Sequence, residues 1–359
     1  MAVINQNNYH DEQNRQNILK MRAVLDTLPS FCRTFFRGIE EYTSARTRLA
    51  YAYDLRLFFE FLHERNAVCG KMEIRDYPLS LLDRISRIDI EEYLEYMSLY
   101  QKDGREITNE ERGKSRKLAT LRSFYNYFYQ SEMISSNPAS LVSMPKLHEK
   151  EIIRLEPNEV SILLDQVEDG TRLTKKELEY HKKTKIRDVA LLTLLLGTGI
   201  RVSECVGLDL QDVNFDVCGI KVRRKGGYEA VVYFGDEVET ALLDYLEERD
   251  RVIPMEGHEN ALFLSLQNRR ITVRAVENLV KKYASRVTTL KKITPHKLRS
   301  TYGTSLYQET GDIYLVADVL GHKDVNTTRK HYAAQQDERR RRAARYVRLR
   351  EEPSDREEH

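Results

Sequence analysis

The residues of this chain whose types could do chemistry lie in its second half, in four short segments. The first is Gly197-Thr198-Gly199-Ile200-Arg201-Val202-Ser203-Glu204. An apolar run ends at glycines and Arg201 opens a new helix. A guanidinium held at such a turn can fork onto two phosphate oxygens. Glu204, one helical turn on, is placed to orient a neighbour. The second is Lys225, between two β-prone runs, where a hairpin tip presents a compact ammonium group. The third is Thr294-Pro295-His296-Lys297-Leu298-Arg299. A cap and an N1 proline start a helix there, and His296 and Arg299 share a face near its electropositive end, which suits a phosphate. The fourth, Leu320-Gly321-His322 followed by Lys323 through Tyr332, puts a histidine after a glycine and a tyrosine on a later helix. Each segment alone has a plainer reading: an Arg–Glu surface pair, a solvated turn lysine, a surface histidine beside an arginine, a packing tyrosine. Together they make a phosphate-directed set with a phenol.

The elements that must position these groups follow from periodicity. In the first half, Tyr51, Leu55, Phe58 and Leu62 recur at helical spacing, as do Ile90, Leu94 and Met97, and then Leu118, Leu121, Tyr125 and Phe128. The polar stretch 102–112, with Asp103-Gly104, reads as a loop. Asn137-Pro138 ends the helical region. The Pro-marked segment from Met144 to Glu151 places a boundary, giving a helical domain over 1–145 and a second domain over 146–359 that ends in a tail helix. The second domain reads as mostly helical with one hairpin, Gly219–Arg224 against Glu229–Phe234, joined by Lys225-Gly226-Gly227-Tyr228.

Composition removes several classes. With 58 Lys and Arg against 56 Asp and Glu, the net charge is only +2, so any nucleic-acid surface must be local. The four cysteines, Cys32, Cys69, Cys205 and Cys218, form no Cys-x-x-Cys pair and no disulfide scaffold. The acids are not grouped as a two-metal site needs, so no metal and no cofactor are expected. The polar opening lacks the core of a signal peptide, and the longest apolar run, Val189–Leu196, is too short for a bilayer. A soluble cytoplasmic protein without membrane contact is the expectation.

The order Arg, Lys, His-x-x-Arg, His, Tyr resembles the tyrosine recombinase (phage integrase) family, and its Xer-like site-specific recombinases in particular. The phrases that carry the resemblance are Gly199 through Glu204, Arg224 through Gly227, Pro295 through Arg299, and Leu320 through His322 with Thr327-Thr328 and Tyr332. The first half resembles the family's helical SAM-like core-binding domain, through Thr47, Tyr51, Asp54-Leu55, Phe58 and Phe61. Asn137-Pro138-Ala139 resembles its exit into a mixed α/β, mostly helical catalytic domain. Tyr332 stands one residue beyond the commoner family spacing from His322; the residue at that spacing, His331, cannot replace the phenol. The charged stretch 168–185 resembles insertions of Xer recombinases from Gram-positive bacteria.

The resemblance implies a metal- and ATP-independent DNA strand-exchange enzyme. Tyr332 would attack the scissile phosphate and leave a 3′-phosphotyrosine link. Arg201 and Arg299 would clamp the non-bridging oxygens. Lys225 would protonate the 5′ oxygen, His296 and His322 would serve the phosphate or the tyrosine proton, and Glu204 would support them. It also implies a homotetramer on double-stranded DNA at a specific core site, passing through a Holliday junction, for integration or excision of a mobile element or for chromosome dimer resolution. Arg46, Arg48, Lys114, Arg116, Lys117 and Arg122 are the candidate phosphate contacts of the first domain. The region before residue 40 reads as too short for a separate arm-binding domain. Two rival readings stand beside this one: a type IB topoisomerase-like enzyme, and a catalytically inactive DNA-binding relative.

Overall fold

The computed structural model describes residues 9–148, 153–224, 227–322 and 324–325. The chain divides into two compact units, Met1–Lys150 and Glu151–His359.

The first unit is helical because its aromatic and aliphatic residues fall in stripes and its helix starts carry caps. In order it runs α1 (Tyr9–Leu25), α2 (Cys32–Gly38), α3 (Ala45–Arg65), α4 (Leu81–Arg84) and α5 (Arg87–Tyr96). The strands β1 (Tyr100–Lys102) and β2 (Arg105–Ile107) precede α6 (Glu111–Gln130) and α7 (Pro138–Leu141). Ser44 caps α3 by accepting from the Thr47 N–H, and Ser86 and Asp89 form a capping box on α5. α3 packs on α1 and α6, and buries Ala52, Leu55, Phe58, Phe59 and Leu62. Phe31, Phe35, Phe59, Phe124 and Phe128 meet edge to face around this centre, as aromatic quadrupoles prefer.

The stretch 102–112 is not the loop its polarity suggests. Asp103 and Gly104 both take positive φ, 51° and 71°, and turn β1 antiparallel onto β2. Two positive φ angles in a two-residue connection match the twist of a hairpin. The strands are too short and too polar to announce themselves by alternation. Glu111 and Arg112 already belong to α6.

The second unit runs α8 (Pro157–Asp169), α9 (Lys175–Thr198), α10 (Val202–Gly207), β3 (Val213–Asn214), β4 (Gly219–Arg223), β5 (Glu229–Tyr233), α11 (Asp236–Asp250), α12 (Val273–Val287), α13 (Pro295–Thr310) and α14 (Ile313–Leu320). The expected hairpin is present as β4 and β5, and β3 adds a short third antiparallel strand. α9 is the central rod, packed against α8, α11 and α13. Its first half is charged and starts at a Thr174–Glu177 capping box. Its second half buries Ala190, Leu191, Leu192, Leu194 and Leu195, as a helix surrounded by others must. The charged stretch 168–185 is thus the end of α8, a left-handed Gly170 turn and the first turns of α9.

The middle of α9 carries a buried polar network. The Asp188 carboxylate accepts from Arg187, from the Thr184 hydroxyl at 2.9 Å and from the Tyr283 hydroxyl at 3.1 Å. His181 Nδ1 lies 3.0 Å from that same hydroxyl. Burial, and then the nearby Lys282, lower the His181 pKa and so favour the neutral imidazole.

Among the described residues, no helix is long and apolar enough to cross a membrane. The fold is mainly helical with small antiparallel sheets.

Candidate active site

Two left-handed glycines end the helices that frame the site. α9 stops at Gly199 (φ 62°) and α14 at Gly321 (φ 62°). Both positions also need the missing Cβ. At Gly199 it would run into the Tyr302 ring, and at Gly321 into the Arg224 guanidinium. Arg201 follows Gly199 as the N-cap of α10, and His322 follows Gly321.

The end of α14 is where the distant segments meet. Its last carbonyls have no partner within the helix and carry the negative end of its dipole. Arginines from three other elements take them. Arg224 donates to Asp318 O at 3.1 Å and to Val319 O at 2.8 Å. Arg299 donates to Leu320 O. Arg201 Nη2 reaches Gly321 O at 3.4 Å. Four consecutive carbonyls are therefore each met by a guanidinium, and the His322 backbone N–H closes the turn on Ala317 O at 2.8 Å.

The two expected phosphate clamps are held differently. Arg299 lies 5% exposed in α13, and its second nitrogen donates to Gly199 O at 2.6 Å. Arg201 has a side chain 35% exposed, and Glu204, itself buried, grips it at both ends. The Glu204 carboxylate accepts from the Arg201 guanidinium at 2.7 Å and from its backbone N–H at 2.8 Å. His296 sits on the first turn of α13, after Pro295 at N1, with its side chain exposed. His322 is half-buried. Arg201, Arg299 and the His322 backbone are therefore joined through the carbonyls at the end of α14, Glu204 joins them through Arg201, and His296 lies one turn before Arg299. Lys225 and Tyr332 lie outside the described residues; Arg224, the neighbour of Lys225, is part of the cluster.

Arg224 is the functional candidate that sequence reading passed over. In the sequence it is one more basic residue beside Lys225. A donor's destination among carbonyls nearly a hundred residues away leaves no local signal.

The first-unit cations are used in several ways. Arg48 is buried and donates to the carbonyls of Glu40 and Thr43, both at 2.8 Å, holding the turn before α3. Arg122 donates to the carbonyls of Ala139 (3.1 Å) and Val142, tying α6 to α7. Arg116 is half exposed and forks onto the buried Asp54 carboxylate, which Thr120 also serves. Lys117 donates to Asn109 at 2.8 Å and Lys114 to Ser98 at 2.5 Å, while Arg46 is exposed. Among the described residues, no group of His, Cys, Asp and Glu has metal-holding geometry.

Comparison with known proteins decides the family. The sequence profile of the phage integrase family matches residues 154–339, more than half of the chain. The chain belongs to the phage integrase family. Its class of activity is tyrosine-type site-specific DNA recombination. The tyrosine recombinase XerC of Caldanaerobacter subterraneus subsp. tengcongensis is 36% identical over 296 residues, covering 79% of this chain and 77% of that protein. In fold, the chain is similar to the XerH site-specific recombinase bound to palindromic difH substrate in a post-cleavage complex. That match has a TM-score of 0.65 at 18% identity, over 92% of this chain and 89% of that one. The Tn1549 transposon integrase in complex with circular intermediate DNA matches with a TM-score of 0.59 at 20% identity, over 87% of this chain and 99% of that one.

Proposed function

We propose that this integrase-family enzyme exchanges DNA strands through Tyr332, with Arg201, Arg299, His296 and His322 around the scissile phosphate and Lys225 as proton donor. The observation that carries the reading is the joint anchoring of Arg201 and Arg299 on the turns at Gly199 and Gly321. Two guanidinium groups fixed by carbonyls have little left to reorganise when a phosphorane's charge develops. An arginine offers five N–H donors, so anchoring at two of them is compatible with a fork onto phosphate. Glu204 keeps Arg201 in its plane. A tyrosine phenol is ordinarily protonated at neutral pH, with a pKa near 10, so the nucleophile needs nearby cations or a base to favour its anion.

Attack conserves the phosphoester bond energy in the tyrosine link, so neither a metal nor ATP enters the scheme. A 5′ hydroxyl of another strand then reverses the link onto a new partner. Two duplexes and four such sites make a homotetramer around a Holliday junction the working assembly, acting in the cytoplasm. The first unit contributes phosphate contacts to double-stranded DNA at a core site. Of the cations named for that role, Arg46, Lys114, Arg116 and Lys117 are those without a purely structural commitment to backbone carbonyls. The biological task is integration or excision of a mobile element, or chromosome dimer resolution.

The test is a supercoiled plasmid carrying two copies of a core site from the gene's neighbourhood, with chelator present and ATP absent. Deletion or inversion that needs both copies supports recombination. Relaxation of any plasmid, with or without the site, would instead mark a topoisomerase-like enzyme. Binding with no strand cleavage would mark an inactive relative.

A further inference from the structure

We propose that Arg224 is a positioning residue, which locks the β4–β5 hairpin onto the C-terminal end of α14 and so sets the place of the Lys225 amine relative to the His322 turn. The inference rests on the reading of Lys225 as proton donor.

Arg224 is fixed at both its backbone and its side chain. Its backbone N–H donates to Tyr228 O at 2.9 Å, and its carbonyl accepts from the Gly227 N–H at 3.0 Å, so it forms the base of the hairpin turn. Its two terminal nitrogens donate to Asp318 O and Val319 O. The side chain is half-buried and lies against Gly321, where any Cβ would displace it. The bonds are charge-assisted and lie at the negative end of a helix. A surface hairpin would otherwise be among the more mobile parts of a fold. Here its last residue before Lys225 is bound to the same four-carbonyl turn that receives Arg201 and Arg299. Guanidinium geometry matters, because one planar fork spans two successive carbonyls and a lysine ammonium offers no such fork.

The chemical consequence concerns one proton. In cleavage the Tyr332 phenol gives its proton to a histidine of the site and its oxygen bonds to phosphorus, the bond from phosphorus to the 5′ oxygen breaks, and the Lys225 ammonium gives that oxygen a proton and becomes an amine. A hairpin loosened by loss of Arg224 leaves binding intact but delivers that proton poorly. A leaving group that needs no proton bypasses the defect. A 5′ sulfur is such a group, since a thiol has a pKa near 8.5 and departs as thiolate.

The experiment compares single-turnover cleavage of matched nicked substrates with 5′ oxygen or 5′ sulfur at the scissile phosphate. It uses the full-length parent, Arg224→Ala, Arg224→Lys and Lys225→Ala, at saturating protein and with folding checked by thermal melting. We expect Arg224→Ala to cut the oxygen substrate about 100-fold more slowly, the scale of a misplaced catalytic group. It should recover on sulfur to within a few-fold of the parent, as Lys225→Ala should. Arg224→Lys should fall between. Recovery of Lys225→Ala without recovery of Arg224→Ala overturns the positioning role and leaves Lys225 as donor. Equal loss on both substrates for Lys225→Ala removes Lys225 as donor, and the positioning role with it. Undiminished cleavage of oxygen by a folded Arg224→Ala also overturns it.

Discussion

Arg299 Nη1 lies 2.6 Å from the carbonyl oxygen of Gly199, a residue one hundred positions earlier in the chain. This bond joins the end of α9 to the second turn of α13 and fixes a buried guanidinium beside the turn that bears Arg201. In the proposed mechanism, replacing Arg299 by alanine removes a transition-state donor, and it leaves the buried Gly199 and Leu320 carbonyls without their guanidinium partner. Cleavage of a suicide substrate should fall by about 10²–10³-fold or more, and unfolding should cost about 1–3 kcal/mol less. Arg299→Lys should keep more stability than activity, because an ammonium cannot span both carbonyls. Single-turnover rates and urea melts measure the two effects.

Three positive-φ glycines form a graded series. Gly104 has open space around it, whereas a Cβ at Gly199 meets the Tyr302 ring and one at Gly321 meets Arg224. Gly104→Ala should therefore cost only backbone strain, about 1 kcal/mol. Gly199→Ala and Gly321→Ala should cost more, and they alone should slow cleavage. Chemical denaturation of the three variants, with cleavage rates alongside, checks the order.

The helical stripes and the β4–β5 hairpin were legible because each is local, a period or a turn dipeptide, and the family was legible in the order of four short phrases. What was not legible is where donors go. Arg48 and Arg122 look like any basic residue on a helix flank, yet both end on backbone carbonyls of their own unit. The β1–β2 hairpin was hidden because three-residue polar strands have no alternation to read. The Asp188 network joins α9 to α12 across about a hundred residues, so only folding reveals it.

Arg116 should contact DNA as well as Asp54. Arg116→Ala is expected to weaken binding to any duplex and to lower the slope of log affinity against log salt by about one. It also leaves Asp54 buried without its partner. The stability loss should be near 1 kcal/mol, at the low end for a buried ion pair because half of the Arg116 side chain is already in water. Titrations at several salt concentrations, with melts, separate the two effects.

His181 should make the protein acid-sensitive at mild pH. Its folded pKa is lowered from the ordinary value near 6.5, by burial first and Lys282 second. The unfolded chain then binds the proton more readily, so stability falls as pH drops through about 6.5 towards the lowered folded value. Above that range the imidazole is neutral in both states and adds no slope. His181→Gln should flatten the stability profile just below about pH 6.5, ahead of the carboxylate range. Denaturation midpoints across that window measure it.

The most direct measurement is to trap the enzyme on a nicked suicide duplex of its core site, digest the complex and map the DNA-linked residue by mass spectrometry. A 3′-phosphodiester to Tyr332 and a free 5′ hydroxyl are expected, with the adduct abolished in Tyr332→Phe although binding persists. An adduct at another residue, a 5′ linkage, or an adduct that survives Tyr332→Phe would contradict that chemistry.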